Sequence, residues 1–169
     1  MEKEKRLVCG LVSRLMDYPG EDIVNWAAGI EQTVKGIPNG SKERLLDFLS
    51  YLKKTPLVAL QEEYTRTFDH NPSLCLNLTF HKWGDDKKRS FALVELIKTY
   101  RDAGYEVSGV ELPDYLPMVL EFISVCPDDA IFPLYEEYGD HLALMVSRLR
   151  VMQSPYAKLF EVLDSVWRR

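Results

Sequence analysis

The stretch Leu74-Cys75-Leu76-Asn77-Leu78-Thr79-Phe80-His81 alternates apolar and polar residues with a period of two. Taken alone, that period is the pattern of a half-buried strand. The rest of the sequence offers no obvious partner strand, and a lone strand would leave its backbone N–H and C=O groups unpaired. We therefore read residues 74–81 as a short helical or irregular segment, which makes the chain all-α.

The flanking segments repeat at helical spacing. Upstream, Thr55 is expected as a cap and Pro56 as the first helical residue. Leu57, Leu60, Tyr64 and Phe68 then share one face. Earlier still, Leu7, Val8, Leu11, Val12 and Leu15 mark a first helix that Tyr18-Pro19-Gly20 ends. Glu21 and Asp22 open a second, and Gly36–Gly40 reads as a loop. Ser41 is expected to cap a third, with Arg44 at its third position, so the capping box is incomplete. Downstream, a helix is expected from Asp85 to Ala103, stopped by Gly104. Asp114 is expected to cap the next, because that start leaves Pro117 in the first turn, where its missing donor costs little. Leu116, Val119, Leu120 and Ile123 would face the core, with Asp114 and Glu121 on one side of the helix two turns apart. Cys126-Pro127 ends it, and helices over Ile131–Met152 and Pro155–Trp167 complete the chain. The sum is one domain over residues 1–169, a bundle of about seven or eight helices.

Charge is distributed unevenly along this frame. From Asp102 to Ser147 there are ten carboxylates and no lysine or arginine, while all 21 basic residues and the other 16 acids lie outside. The net charge of −5 is therefore −10 inside the window and +5 outside it. A pI near 5.3 argues against nucleic acid as the partner, since phosphate binding needs a dominant basic face. Carboxylates beside apolar surface suit a cationic, partly apolar peptide, although the same window could simply be a solubilising face. Cys9, Cys75 and Cys126 are far apart and odd in number, which suits a reducing compartment. The charged start, with Gly10, Ser13 and Arg14 interrupting Leu7–Leu15, makes a poor signal peptide, and no apolar run is long enough to span a bilayer. The expected location is the cytoplasm.

Catalytic signals are weak. His70, His81 and His141 show no metal-ligand spacing with each other or with cysteine, and no Gly-rich phosphate loop is present. Lys87, Lys88 and Arg89 form the one dense basic cluster, either a solvated helix start or a contact for an anion such as a nucleotide. Tyr64 and Phe68, four apart, could be an ordinary core stripe or part of a binding surface.

Several motifs in order carry a resemblance. Leu60-Gln-Glu-Glu-Tyr-Thr-Arg-Thr-Phe-Asp69, then Ser73–His81 and Gly84-Asp85, resemble the middle of the nitrate reductase delta subunit, the NarJ-type assembly chaperones. Ala92-Leu-Val-Glu-Leu-Ile97, Tyr100-Arg-Asp-Ala-Gly104 and Glu111-Leu-Pro-Asp-Tyr-Leu-Pro-Met-Val-Leu-Glu-Phe122 continue the match, and Leu15-Met-Asp-Tyr-Pro19 precedes it. The resemblance implies a TorD-like all-helical fold and a cytoplasmic chaperone of the wider NarJ/TorD/DmsD group, without catalytic activity. Its implied partner is the N-terminal region, a twin-arginine signal or its remnant, of a molybdenum oxidoreductase's catalytic subunit. That client, held until the molybdopterin cofactor is inserted, is expected to be nitrate reductase or a related enzyme. The resemblance implies a monomer or homodimer, no stably bound cofactor and at most weak GTP binding. The site it implies comprises Glu111, Asp114, Tyr115 and Glu121 with Tyr64, Phe68 and Asp69. This chain has Tyr115 where many relatives have histidine, and Ser90 where a glycine usually follows the arginines.

Overall fold

A computed structural model of the chain describes residues 3–37, 40–107 and 111–167. Among these residues there are ten α-helices and no strand longer than a single bridge pair. That is more helices than the apolar periodicity suggested. The second expected helix divides at Ile30 into α2 (Glu21–Gly29) and α3 (Glu31–Lys35), and a short α6 (Leu78–Trp83) forms inside the alternating segment. The others are α1 (Lys3–Leu15), α4 (Ser41–Lys54), α5 (Leu57–Tyr64), α7 (Lys88–Asp102), α8 (Leu116–Val125), α9 (Asp128–Val151) and α10 (Ala157–Trp167).

The centre of the bundle is the pairing of α1 with α8, backed by α10, which also packs on α4 and α9. Val8, Leu11, Val12 and Leu15 of α1 meet Leu116, Val119, Leu120 and Ile123 of α8, all buried. Gly10 permits the approach: a Cβ there would already touch Ser124 Cβ at 3.4 Å. Polar groups at this seam are satisfied. Ser13 Oγ donates to Pro117 O at 2.7 Å, and Arg6 donates to Ile123 O and Cys126 O, closing the carbonyl end of α8.

Several helix starts differ from the sequence reading: α7 begins at Lys88 rather than Asp85, α9 at Asp128 rather than Ile131 and α10 at Ala157 rather than Pro155, and two caps are shifted by one residue. Gly40, not Ser41, caps α4, because Glu43 at the third position turns back and accepts from Gly40 N at 2.9 Å. Pro56, not Thr55, precedes α5, while Thr55 ends α4 and its hydroxyl donates to Tyr51 O.

The alternating segment finds its partner in residues 114–116. Pro72–Leu74 form a 3₁₀ turn, then Asn77 pairs with Tyr115 in an antiparallel bridge. Leu78 N donates to Asp114 O at 3.0 Å and Leu116 N to Leu76 O at 2.8 Å. Asp114 therefore does not cap α8, whose N-cap is Tyr115 without a side-chain bond. It caps α6 from across the chain instead. Asp114 Oδ2 accepts from Thr79 N at 3.1 Å and Thr79 Oγ1 at 2.5 Å, and Oδ1 accepts from Asn77 Nδ2 at 3.0 Å. Arg89 Nε donates to Thr79 Oγ1 at 3.0 Å, and its guanidinium lies 3.6 Å from Asp114. Nor do Asp114 and Glu121 share a side: the first is 0% exposed and the second lies in solvent.

Removing one partner from such a network strands the others. Asp114→Ala is expected to lower stability by about 3 kcal/mol in urea unfolding, whereas Glu121→Ala should change it by less than about 0.5 kcal/mol. Equal small effects would contradict the clasp.

Candidate functional site: an aromatic groove with an acidic rim

The helix α5 does not stop at Tyr64. It continues through one π-helical turn, Thr65–Asp69, closed by His70 N donating to Thr65 O at 3.0 Å. The extra residue in this turn re-aims the side chains that follow, a device common at functional sites. Tyr64 and Phe68 stack edge to face at 5.1 Å, and Phe68 presses on Tyr156 at 4.9 Å. On the outer side, Tyr18, half exposed, stands edge-on to Tyr64 at 5.4 Å. The clasp brings Tyr115 in from the opposite side, and the Tyr64 and Tyr115 hydroxyls are 2.9 Å apart.

These residues line a groove of about 390 Å³, with Asp69 and Glu111 exposed on its rim and Cys75–Asn77 along one wall. Five of the expected site residues thus meet: Tyr64, Phe68, Asp69, Glu111 and Tyr115. Asp114 lies behind Tyr115 and holds the wall. Glu121 lines a different concavity. Lys87 and Lys88 are exposed at the start of α7, but Arg89 is turned into the clasp, over the Phe80 ring at 5.6 Å. An anion held by all three basic residues is not what this arrangement offers.

One lining group, Tyr18, and the acid next to it in the chain, Asp17, escaped the sequence reading. Tyr18 sat in the quoted Leu15–Pro19 motif without a role. Asp17 beside it is half-buried, and burial together with the charge of Glu121, then Asp22 and Glu111, pushes its carboxyl up to about 6 from 3.8. Burial pushes the Tyr115 hydroxyl up to about 12, with Asp17, Glu111 and Asp69 adding to the rise. Tyr64 is raised by burial and by Tyr115. The hydroxyl pair therefore stays neutral, and the carboxyl of Asp17, next to Tyr18 in the chain, is pushed up to about 6.

Reactive groups are quiet here. Burial raises the Cys75 thiol, which keeps it from being a thiolate nucleophile. His81, lowered by burial, donates through Nε2 to Cys75 O at 2.7 Å. Among the described residues no group of three His, Cys, Asp or Glu side chains could hold a metal ion, and no helix is long and apolar enough to cross a membrane. The groove sets apolar rings beside rim carboxylates, a combination that suits an apolar side chain next to a cation.

A raised carboxyl in the folded chain opposes folding once it ionises. Asp17 does so as pH rises from about 4 through about 6. Asp17→Asn is therefore expected to raise the unfolding temperature at about pH 7 and to lose that advantage at about pH 4. A destabilised variant at neutral pH would contradict the electrostatic strain at Asp17.

Comparison with known proteins shows the family. Residues 35–162 match the family model for the nitrate reductase delta subunit. The chain is 31% identical over 165 residues to the probable nitrate reductase molybdenum cofactor assembly chaperone NarJ of Bacillus subtilis, covering 95% of this chain and 88% of that protein. It is 31% identical over 158 residues to the NarJ assembly chaperone of Escherichia coli, and 31% over 153 residues to NarW of the same organism. Each of these alignments covers 90% of this chain but only 66% and 64% of the longer relatives. By fold, by ordered motifs and by these matches, the chain belongs to the nitrate reductase delta subunit family.

Proposed function

We propose that this protein is an assembly chaperone for a molybdenum-containing nitrate reductase. In this reading it holds the N-terminal segment of the catalytic subunit in the aromatic groove until the molybdopterin cofactor is inserted, and it works in the cytoplasm. The observation that carries the reading is the convergence of Tyr18, Tyr64, Phe68 and Tyr115 with Asp69 and Glu111, from three distant parts of the chain, at one open groove. The relatives named as nitrate reductase molybdenum cofactor assembly chaperones supply the client class.

The two kinds of group divide the work. Aromatic anchors in a partly desolvated cleft carry most of a peptide's binding energy, and truncating one commonly costs about 2 kcal/mol or more. Exposed ion pairs contribute about 0–1 kcal/mol each, so the rim acids select for arginine and speed encounter rather than dominate affinity. Asp114 contributes by position: it fixes Tyr115 and Asn77, so less ordering is left to do on binding.

Calorimetry with a synthetic peptide of the catalytic subunit's N-terminus tests this. Tyr18→Ala is expected to weaken binding by about tenfold or more. Asp69→Asn with Glu111→Gln should weaken it by about fivefold and flatten its salt dependence. Binding should also weaken as pH falls through about 6, where Asp17 gains its proton. Unchanged affinity in all three, with helicity intact, would sink the groove assignment.

A further inference from the structure

Beside the aromatic groove lies a second concavity of about 270 Å³, between the end of α7 and the outer face of α8. Its floor is Tyr100 and Phe122, both buried, with ring centroids 4.6 Å apart. Gly104, at φ +85°, turns the chain after α7 in a conformation that favours glycine. Tyr105 then stands edge-on to Phe122 at 5.4 Å, its hydroxyl donating to Val125 O at 3.1 Å. Met118 and Val125 form the wall, and Val125 leaves 56% of its surface in water. The charged lining groups are the carboxylates of Glu106 and Glu121; no lining residue is basic.

Tyr115 of the first groove and Met118 of the second lie one turn apart at the start of α8. Glu111 belongs to the first and Glu121 to the second, and the charge of each acts on Asp17. Apolar walls edged by unneutralised carboxylates complement an apolar side chain flanked by a cation. A space of about 270 Å³ takes one or two side chains, too little contact for a stable dimer, which buries roughly 800 Å² per partner. We infer that this second groove seats a further part of the same client segment, an apolar side chain against Tyr105, Phe122 and Val125 with a basic neighbour facing Glu106 and Glu121. Docking is bipartite, with the start of α8 between the two anchors. This rests on the peptide-binding reading above and adds where the second half of that peptide lies.

The test uses the full chain and two synthetic peptides of the nitrate reductase catalytic subunit's N-terminus, one long and one cut to its first half, measured by calorimetry. Val125→Arg fills the second groove with a like charge, and because Val125 is exposed the fold should survive. The exposed Glu121→Lys is the second variant if it does not. Either is expected to weaken the long peptide about tenfold and to leave the short peptide within about twofold. If Tyr18→Ala weakens the long peptide while Val125→Arg and Glu121→Lys do not, the second anchor is overturned and the chaperone reading stands. If no variant in either groove matters, both fall. If both peptides lose equally, the second groove acts only through the field of its charges, and bipartite docking is overturned.

Discussion

Asp114 carries a carboxylate that touches no solvent, and the middle of the molecule is arranged so that it never lacks a donor. Leaving such a group unpaired would cost several kcal/mol, so Asn77, Thr79 and Arg89 are committed to it. Thr79 matters twice, through its backbone N–H, one of the orphan donors at the start of α6, and through its hydroxyl. One side chain thereby ties the alternating segment to the start of α8 and the start of α7 to both. A six-residue helix such as α6 would not persist without packing and capping from outside itself.

The groove depends on that clasp. Tyr115 follows Asp114 directly and pairs with Asn77, so its ring is presented to Tyr64 by backbone bonds and not by chance contact. From Tyr64 the rings continue inward through Phe68 and Tyr156 to Phe48. Edge-to-face pairs of this kind add about 0.5–1.5 kcal/mol each beyond the area they bury. The aromatic wall is therefore closely packed and neutral, while the raised carboxyl of Asp17 sits next to Tyr18 in the chain. In the proposed function, recognition of a cationic segment and the packing of the wall come from different residues, which lets either vary alone.

Much of the fold was legible because apolar residues at helical spacing on α1, α4, α8 and α10 leave few alternatives. The strand-like period of residues 74–81 misleads on type but carries a real message. One residue pair does form a bridge, and its partner, Tyr115, was hidden because a single pair leaves no pattern in the sequence. Asp114 looked like a local cap because Asp ahead of an apolar helix usually is one. Capping across 35 residues has no local trace. The groove was half legible: Tyr64, Phe68, Asp69, Glu111 and Tyr115 stood in motifs, and only the fold could show that they converge. Glu121 was grouped with Asp114 by helical spacing, but α8 begins after Asp114, so the spacing did not apply. Asp17 and Tyr18 follow the last turn of α1, where period says nothing about direction. An exposed tyrosine next to an acid, just ahead of Pro19, was the available signal.

The most direct measurement places a photo-crosslinking amino acid at Tyr18, on the groove, and in a second sample at Val151, which is 86% exposed and lines neither groove. Each is irradiated with the nitrate reductase catalytic subunit before cofactor insertion, and the linked peptide is identified by mass. The account predicts capture from position 18 that maps to the N-terminal segment of the catalytic subunit, and none from position 151. Capture of other regions from position 18, or equal capture from both positions, would contradict it.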